Sequence, residues 1–246
     1  MAPSRSALFS GPPGVGKTLA SRWIAQQVGL PLVSLDLAAV LSSYLGTSGR
    51  NIRDVLDFAK SRACVLLLDE FDALAKARDD DSDVGELKRV VNVLLVELDR
   101  WNGRSFLIAA TNHAQLLDPA IGRRFDRIVT FPLPGIEERL ALLKAGASAP
   151  LDAKILRVVA EITDGSSPSD LARLMEMVGR RSVLREVPFE RVLLTELLTV
   201  AGPSGNNRDT LWQKLHREFG LSLRAIADLS GVSHPTVSQA IRRIEK

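Results

Sequence analysis

The stretch Gly11-Pro12-Pro13-Gly14-Val15-Gly16-Lys17-Thr18 constrains this 246-residue chain more than any other. It sits between a short apolar run at 7–10, which reads as a strand, and a helix-period stretch that starts at Lys17. Glycines without a Cβ let consecutive backbone N–H groups converge on the oxygens of one anion. The start of the following helix adds partial positive charge at the same place. That strand–loop–helix context makes the pattern credible as a phosphate-binding P-loop. Pro12, Pro13, Gly14, Val15, Gly16, Lys17, Thr18 and Leu19 are therefore the residues expected to hold a nucleotide. Lys17 is expected at the β- and γ-phosphates, and the Thr18 hydroxyl on Mg²⁺.

The N-terminal half continues the alternation of short apolar runs with helix-period stretches. Strands are expected at 7–10, 31–35, 64–69, 105–109 and 128–131, with helices near 17–28, 48–62 and 84–101. This is the pattern of an α/β protein: a three-layer αβα sandwich on a five-stranded parallel sheet. Pro132, Pro134 and Gly135 end it. Helices are expected beyond, near 136–145, 152–161, 169–185 and 188–200. The expected organisation is a nucleotide-binding core at 1–134, a helical lid at 135–201, a polar linker at 202–207 and a last helical module at 208–246. Four aspartates within 79–83 read as a solvated loop.

Composition removes several classes. With 46% hydrophobic and 25% charged residues, the chain has the apolar content of a folded protein and not of a disordered one. The run Val65-Leu66-Leu67-Leu68 stops at Asp69, and no apolar stretch approaches the ~18 residues of a membrane span. The first ten residues lack the apolar core of a secretory signal. One cysteine, Cys64, excludes an internal disulfide and fits a reducing compartment. The expectation is a soluble cytoplasmic protein. The formal charge of +3 is uneven: residues 204–246 hold seven Lys and Arg against four Asp and Glu, and the remainder balances. A basic tail of this kind points to an anionic partner.

A second acidic motif follows the third expected strand. The run 65–68 ends in Asp69-Glu70, and successive residues at a strand end point different ways, so the two carboxylates can serve two roles. Asp69 suits Mg²⁺ held through water, and Glu70 suits a general base that polarises the attacking water.

Together these residues resemble the AAA clade of the AAA+ ATPases. Residues 11–18 resemble its Walker A motif and VLLLDEFD at 65–72 its Walker B. Thr111-Asn112 resembles sensor 1, and 117–126, with Ile121-Gly122-Arg123-Arg124, resembles the second region of homology, in the shorter form of severing and disassembly members. The resemblance spans about residues 5–200. It implies that Asn112 hydrogen-bonds the γ-phosphate and orients water. It also implies that Arg123 and Arg124 act as fingers on a neighbouring subunit's nucleotide, in a ring that is usually a hexamer. Which of the two is the principal finger stays open; an alternative reading of both is a surface ion-pair cluster with Asp126. Residues 165–171 resemble the clade's lid motif, without a sensor-2 arginine and with Pro168 in the first turn of a helix. Tyr44 and Leu45 fall where the family places a pore loop that grips an extended polypeptide. Only six residues precede Ala7, where the family has a linker and a helix, which implies a truncated start or reduced nucleotide affinity.

The last segment carries a helix-turn-helix pattern on its own residues. Ala227 is small enough for close helix approach, Gly231 suits a tight left-handed turn, and Val237 packs the second helix on the first. Residues 207–220, with Leu211, Leu215 and Phe219 at helical spacing, supply a third helix. Ser233 is placed as an N-cap, and Ser233, His234, Thr236, Ser238, Gln239 and Arg242 form the candidate DNA-binding face. The alternative is a three-helix interaction module that meets no DNA.

The expected function is a Mg²⁺-dependent, homo-oligomeric ring ATPase that remodels or translocates a protein substrate, with DNA a partner through the C-terminal module. The alternative is an ATP-switched DNA-binding regulator whose assembly hydrolysis controls. The combination of motor and appended module looks bacterial or phage-like.

Overall fold

A computed structural model describes residues 5–42, 48–74, 92, 94–99, 101, 104–117, 119–200, 206–217 and 220–244. The chain forms two compact units, Met1–Pro132 and Leu133–Lys246.

The first unit is built on five parallel strands: β1 (Ser6–Ser10), β2 (Leu32–Asp36), β3 (Val65–Asp69), β4 (Phe106–Thr111) and β5 (Arg127–Thr130). Their order across the sheet is β2-β3-β4-β1-β5. The central strands are apolar on both faces because helices cover both. Alternation along β3 sorts its side chains. Leu66 and Leu68 enter one cluster with Leu8, Leu107 and Ala109, packed by Ile52, Leu56 and Ala59 of α3 (Ser48–Ser61). Val65 and Leu67 point the other way, joining Phe9, Ile108 and Ala110 under Ala25 of α1 (Lys17–Gln27). The register aligns strand ends: Ser10 pairs with Thr111, and Asp36 with Asp69. The residues that leave these strands therefore emerge on one edge of the sheet, where open parallel sheets bind their ligands.

The five expected strands are present with ends shifted by one or two residues. One helix is additional: α2 (Leu37–Ser42) starts directly after β2. Its first turn is capped by Asp36, whose Oδ1 accepts from the Ala39 N–H at 2.9 Å. The short turn α4 (Pro119–Gly122) precedes β5. Of the helix expected near 84–101, residues 92 and 94–99 are described and helical and residue 101 is described outside a helix; the others lie outside the described residues, as do the aspartates at 79–83.

The second unit is helical: α5 (Ile136–Gly146), α6 (Ala153–Ile162), α7 (Pro168–Arg185), α8 (Phe189–Val200), α9 (Asn206–Arg217), α10 (Leu223–Ser230) and α11 (His234–Ile244). Pro168 occupies the first turn of α7, and Ser167 and Asp170 cap each other's backbone N–H reciprocally. The buried Arg139 joins α5 to the end of α6, donating to the carbonyls of Ala160 (2.8 Å) and Pro134 (2.7 Å). One apolar cluster runs through the whole unit, from Leu143, Val159 and Met175 to Trp212, Ile226 and Val237. Lys214 of α9 also pairs with Glu161 of α6. The last three helices thus share a core with the four before them.

Candidate nucleotide site

The P-loop leaves β1 at Ser10 and enters α1 at Lys17. Gly11 cannot be replaced without displacing backbone, since a Cβ there would lie 2.2 Å from the carbonyl oxygen of Phe131. Phe131 is fixed in turn: its N–H donates to Ser10 O at 2.7 Å, and its ring packs on Phe9. Gly14 and Gly16 both have positive φ, at 78° and 102°, so the loop bends back over the start of α1.

Lys17 is 7% exposed, and its ammonium lies within a cage of acceptors. It donates to Gly11 O (2.7 Å), Pro12 O (2.9 Å) and Asn112 Oδ1 (2.7 Å). Burial holds its pKa below the ordinary 10.5, and the carboxylates of Asp69, Glu70 and Asp72 oppose that shift. The Thr18 hydroxyl donates to Asp69 Oδ2 at 2.9 Å, while Asp69 Oδ1 accepts from the Glu70 N–H. Asn112 closes the set: its Nδ2 stands 3.4 Å from each carboxylate oxygen of Glu70. Glu70 adopts φ 53°, a left-handed conformation unusual for a side chain of this size. Lys17, Thr18, Asp69, Glu70 and Asn112, drawn from three separate parts of the sequence, therefore meet at one place.

Asp72 is a member of this network to which the sequence assigned no role, and Thr111, named there only as half of the sensor-1 pair, joins it. Asp72 Oδ1 accepts from Thr111 Oγ1 (3.1 Å) and from the Asn112 backbone N–H (3.2 Å). For Asp72 the sequence signal was the fourth position of the Asp-Glu-Phe-Asp run.

The two candidate finger arginines part company. Arg124 pairs with Asp99, Nε to Oδ1 at 2.7 Å. Arg123 is exposed and makes no ion pair with any described residue. Asp126 does not join them. It binds the start of β1 instead, accepting from the backbone N–H groups of Arg5 and Ser6 and from the Ser6 hydroxyl. Of the remaining expected residues, Leu19 projects from α1 and is exposed, while Tyr44 and Leu45 lie outside the described residues.

In the second unit, Ser233, His234, Thr236, Gln239 and Arg242 are exposed and Ser238 is half-buried. Ser233 Oγ receives the Thr236 N–H at 3.4 Å at the start of α11, and Val237 and Ala240 face inward. Gly231 turns the chain with φ 65° between α10 and α11.

A parallel sheet with a glycine-rich loop over a buried lysine and a carboxylate at the adjacent strand end defines a P-loop nucleotide-binding protein. Residues 7–133, half of the chain, match the ATPase family associated with various cellular activities (AAA), and the chain belongs to that family. It is 41% identical over 203 residues to the uncharacterized AAA family ATPase y4kL of Sinorhizobium fredii (strain NBRC 101917 / NGR234), across 79% of this chain and 61% of that protein. The chain thus spans less than two thirds of that relative. In fold it is similar to the FIGL-1 AAA domain in complex with ADP, with a TM-score of 0.66 at 24% identity, over 90% of this chain and 80% of that one. Among the described residues, no helix is long and apolar enough to cross a membrane.

Proposed function

We propose that the chain hydrolyses ATP as a subunit of a ring, and that hydrolysis drives remodelling or translocation of a protein substrate. The observation that carries the reading is the meeting of Lys17, Thr18, Asp69, Glu70 and Asn112 beneath the P-loop. Lys17, already held by three acceptors, supplies fixed positive charge where the phosphates would lie, with little reorganisation at reaction. Asn112, between Lys17 and Glu70, is suited to orient water against the γ-phosphate while Glu70 takes its proton.

Mg²⁺ fits this donor set. Thr18 and Asp69 present hard oxygen atoms side by side, and Mg²⁺ prefers few protein ligands, with phosphate and water completing the shell. When bound, the ion would neutralise charge shared by the β- and γ-phosphates.

Arg123 is the better candidate for the finger. An arginine must reach across to another subunit unencumbered, and Arg124 is already paired with Asp99. A finger supplied in trans is worth about 10³–10⁵ in rate, so isolated subunits should hydrolyse poorly. The pore-loop role of Tyr44 and Leu45 rests on their position in the sequence alone.

A specific observation favours a second reading, in which ATP controls a DNA-bound assembly. The exposed side of α11 carries Ser233, His234, Thr236, Gln239 and Arg242, donors and acceptors of the kind that meet base edges and phosphates, in a segment where Lys and Arg outnumber Asp and Glu. One module with so few cations would bind weakly, and several copies on a ring would compensate through effective concentration.

The test is ATP turnover by the full chain with added unfolded polypeptide or duplex DNA. Polypeptide should stimulate it, and Glu70→Gln should retain ATP binding while losing turnover by about 10²-fold or more. Stimulation by DNA alone would overturn the remodelling reading in favour of the second; undiminished turnover in Glu70→Gln would remove Glu70 as the base.

A further inference from the structure

Three carboxylates leave β3 within four residues, and the proposed chemistry uses two of them. Asp69 and Glu70 stand at the mouth of the site; Asp72 lies beneath it, 1% exposed. A carboxylate in such a place is costly unless donors converge on it. Two that do so belong to the exit of β4: the Thr111 hydroxyl at 3.1 Å and the Asn112 backbone N–H at 3.2 Å, both on Oδ1. Thr111 Oγ1 in turn accepts from the His113 N–H at 3.1 Å, so the hydroxyl relays the constraint one residue further. One step back, the Phe71 N–H donates to Ala110 O at 2.8 Å, which lays the two exits side by side.

The consequence falls on the Asn112 side chain. Its Oδ1 accepts from Lys17 Nζ at 2.7 Å, and its Nδ2 is 3.4 Å from both Glu70 oxygens. An amide spanning a lysine and a carboxylate works only if its backbone is held, because small displacements of a positioned group cost large factors in rate. Asp72 grips that backbone directly. We infer that Asp72 is the positioning residue of the hydrolytic site, fixing Asn112 through its main-chain N–H and through Thr111. The inference rests on the proposal that Asn112 and Glu70 serve ATP hydrolysis. Asp72 touches neither nucleotide nor water in this account; it acts through Asn112.

The test is a double-mutant cycle on the full chain, reading kcat, KM and the affinity for a non-hydrolysable ATP analogue. Asp72→Ala should lower kcat by about tenfold or more, with KM and analogue affinity changed by less than about threefold. Asp72→Asn keeps an oxygen at the accepting position and should recover most of the lost turnover. In an Asn112→Ala background, Asp72→Ala should have little further effect, because both changes remove the same positioned amide. Thr111→Val removes the hydroxyl donor and leaves Asp72 in place. It should show a smaller loss with the same dependence on Asn112, and it carries the test if Asp72→Ala melts early. Multiplicative losses in the double variant, or a fall in analogue affinity that tracks the fall in kcat, would overturn the positioning role. Absence of turnover in the wild-type chain would instead overturn the ATPase reading on which the inference rests.

Discussion

Asp126 shows how much a single residue can do at a distance in sequence. It precedes β5, yet its Oδ2 accepts from Arg5 N–H (2.7 Å), Ser6 N–H (3.0 Å) and Ser6 Oγ (3.1 Å), while the same hydroxyl receives the Asp126 N–H. These donors, the Arg5 N–H foremost, hold its carboxyl below the ordinary 3.8. A depressed pKa in the folded state gives stability that is complete above 3.8 and lost as pH falls through the lowered value. Asp126→Asn should therefore be less stable at neutral pH, by no more than about 1 kcal/mol given the group's exposure, and equal to wild type in strong acid. Urea titrations from pH 7 to pH 2 check this; a constant difference across that range would rule it out. At this scale the sequence was legible where a residue's role is local. Lys17 and Thr18 follow from their loop, and Asp69 and Glu70 from a strand end. The roles of Asp72, Asp126 and Arg139 depend on partners as far as 121 residues away, and no local spacing encodes those meetings.

The elements were legible in proportion to their periodicity. The buried strand at Val65–Asp69 and the long helix Pro168–Arg185 announce themselves; the six residues of α2 do not, and only Asp36 as a cap marks its start. The last three helices show the same dependence. Ala227, Gly231 and Val237 stand at the helix contact, the turn and the core, as their spacing suggests. Their packing on the lid helices was not legible, because it depends on which apolar faces meet. Trp212 of α9 belongs to the shared cluster, fully buried, with its Nε1 donating to Ser230 Oγ at 2.9 Å and the Arg208 guanidinium 4.2 Å over its ring. Trp212→Ala should cost about 3–5 kcal/mol. Because one cluster spans α5 to α11, the whole helical unit should lose stability together. Calorimetry or hydrogen exchange follows it: destabilisation confined to residues 206–244 would show that the last helices fold separately.

Across the whole molecule, the nucleotide chemistry gathers in one unit. The nucleotide site lies within Met1–Pro132, and the last 43 residues of Leu133–Lys246 hold seven Lys and Arg against four Asp and Glu. The proposed site is also incomplete in one chain. Lys17, Thr18, Asp69, Glu70 and Asn112 meet within a subunit, whereas Arg123 is exposed and has no ion-pair partner among the described residues. Its proposed partner is the nucleotide of a second copy, which requires a head-to-tail contact of the kind that closes a ring. Mixing two inactive variants tests that claim most directly. Glu70→Gln subunits retain Arg123 but lack the base; Arg123→Ala subunits retain the base but lack the finger. Each alone should hydrolyse ATP at least about 10²-fold more slowly than wild type. An equimolar mixture should recover a substantial fraction of wild-type turnover, rising with protein concentration. A mixture no faster than the average of its two components, or an Arg123→Ala variant as active as wild type, would contradict a site shared between subunits.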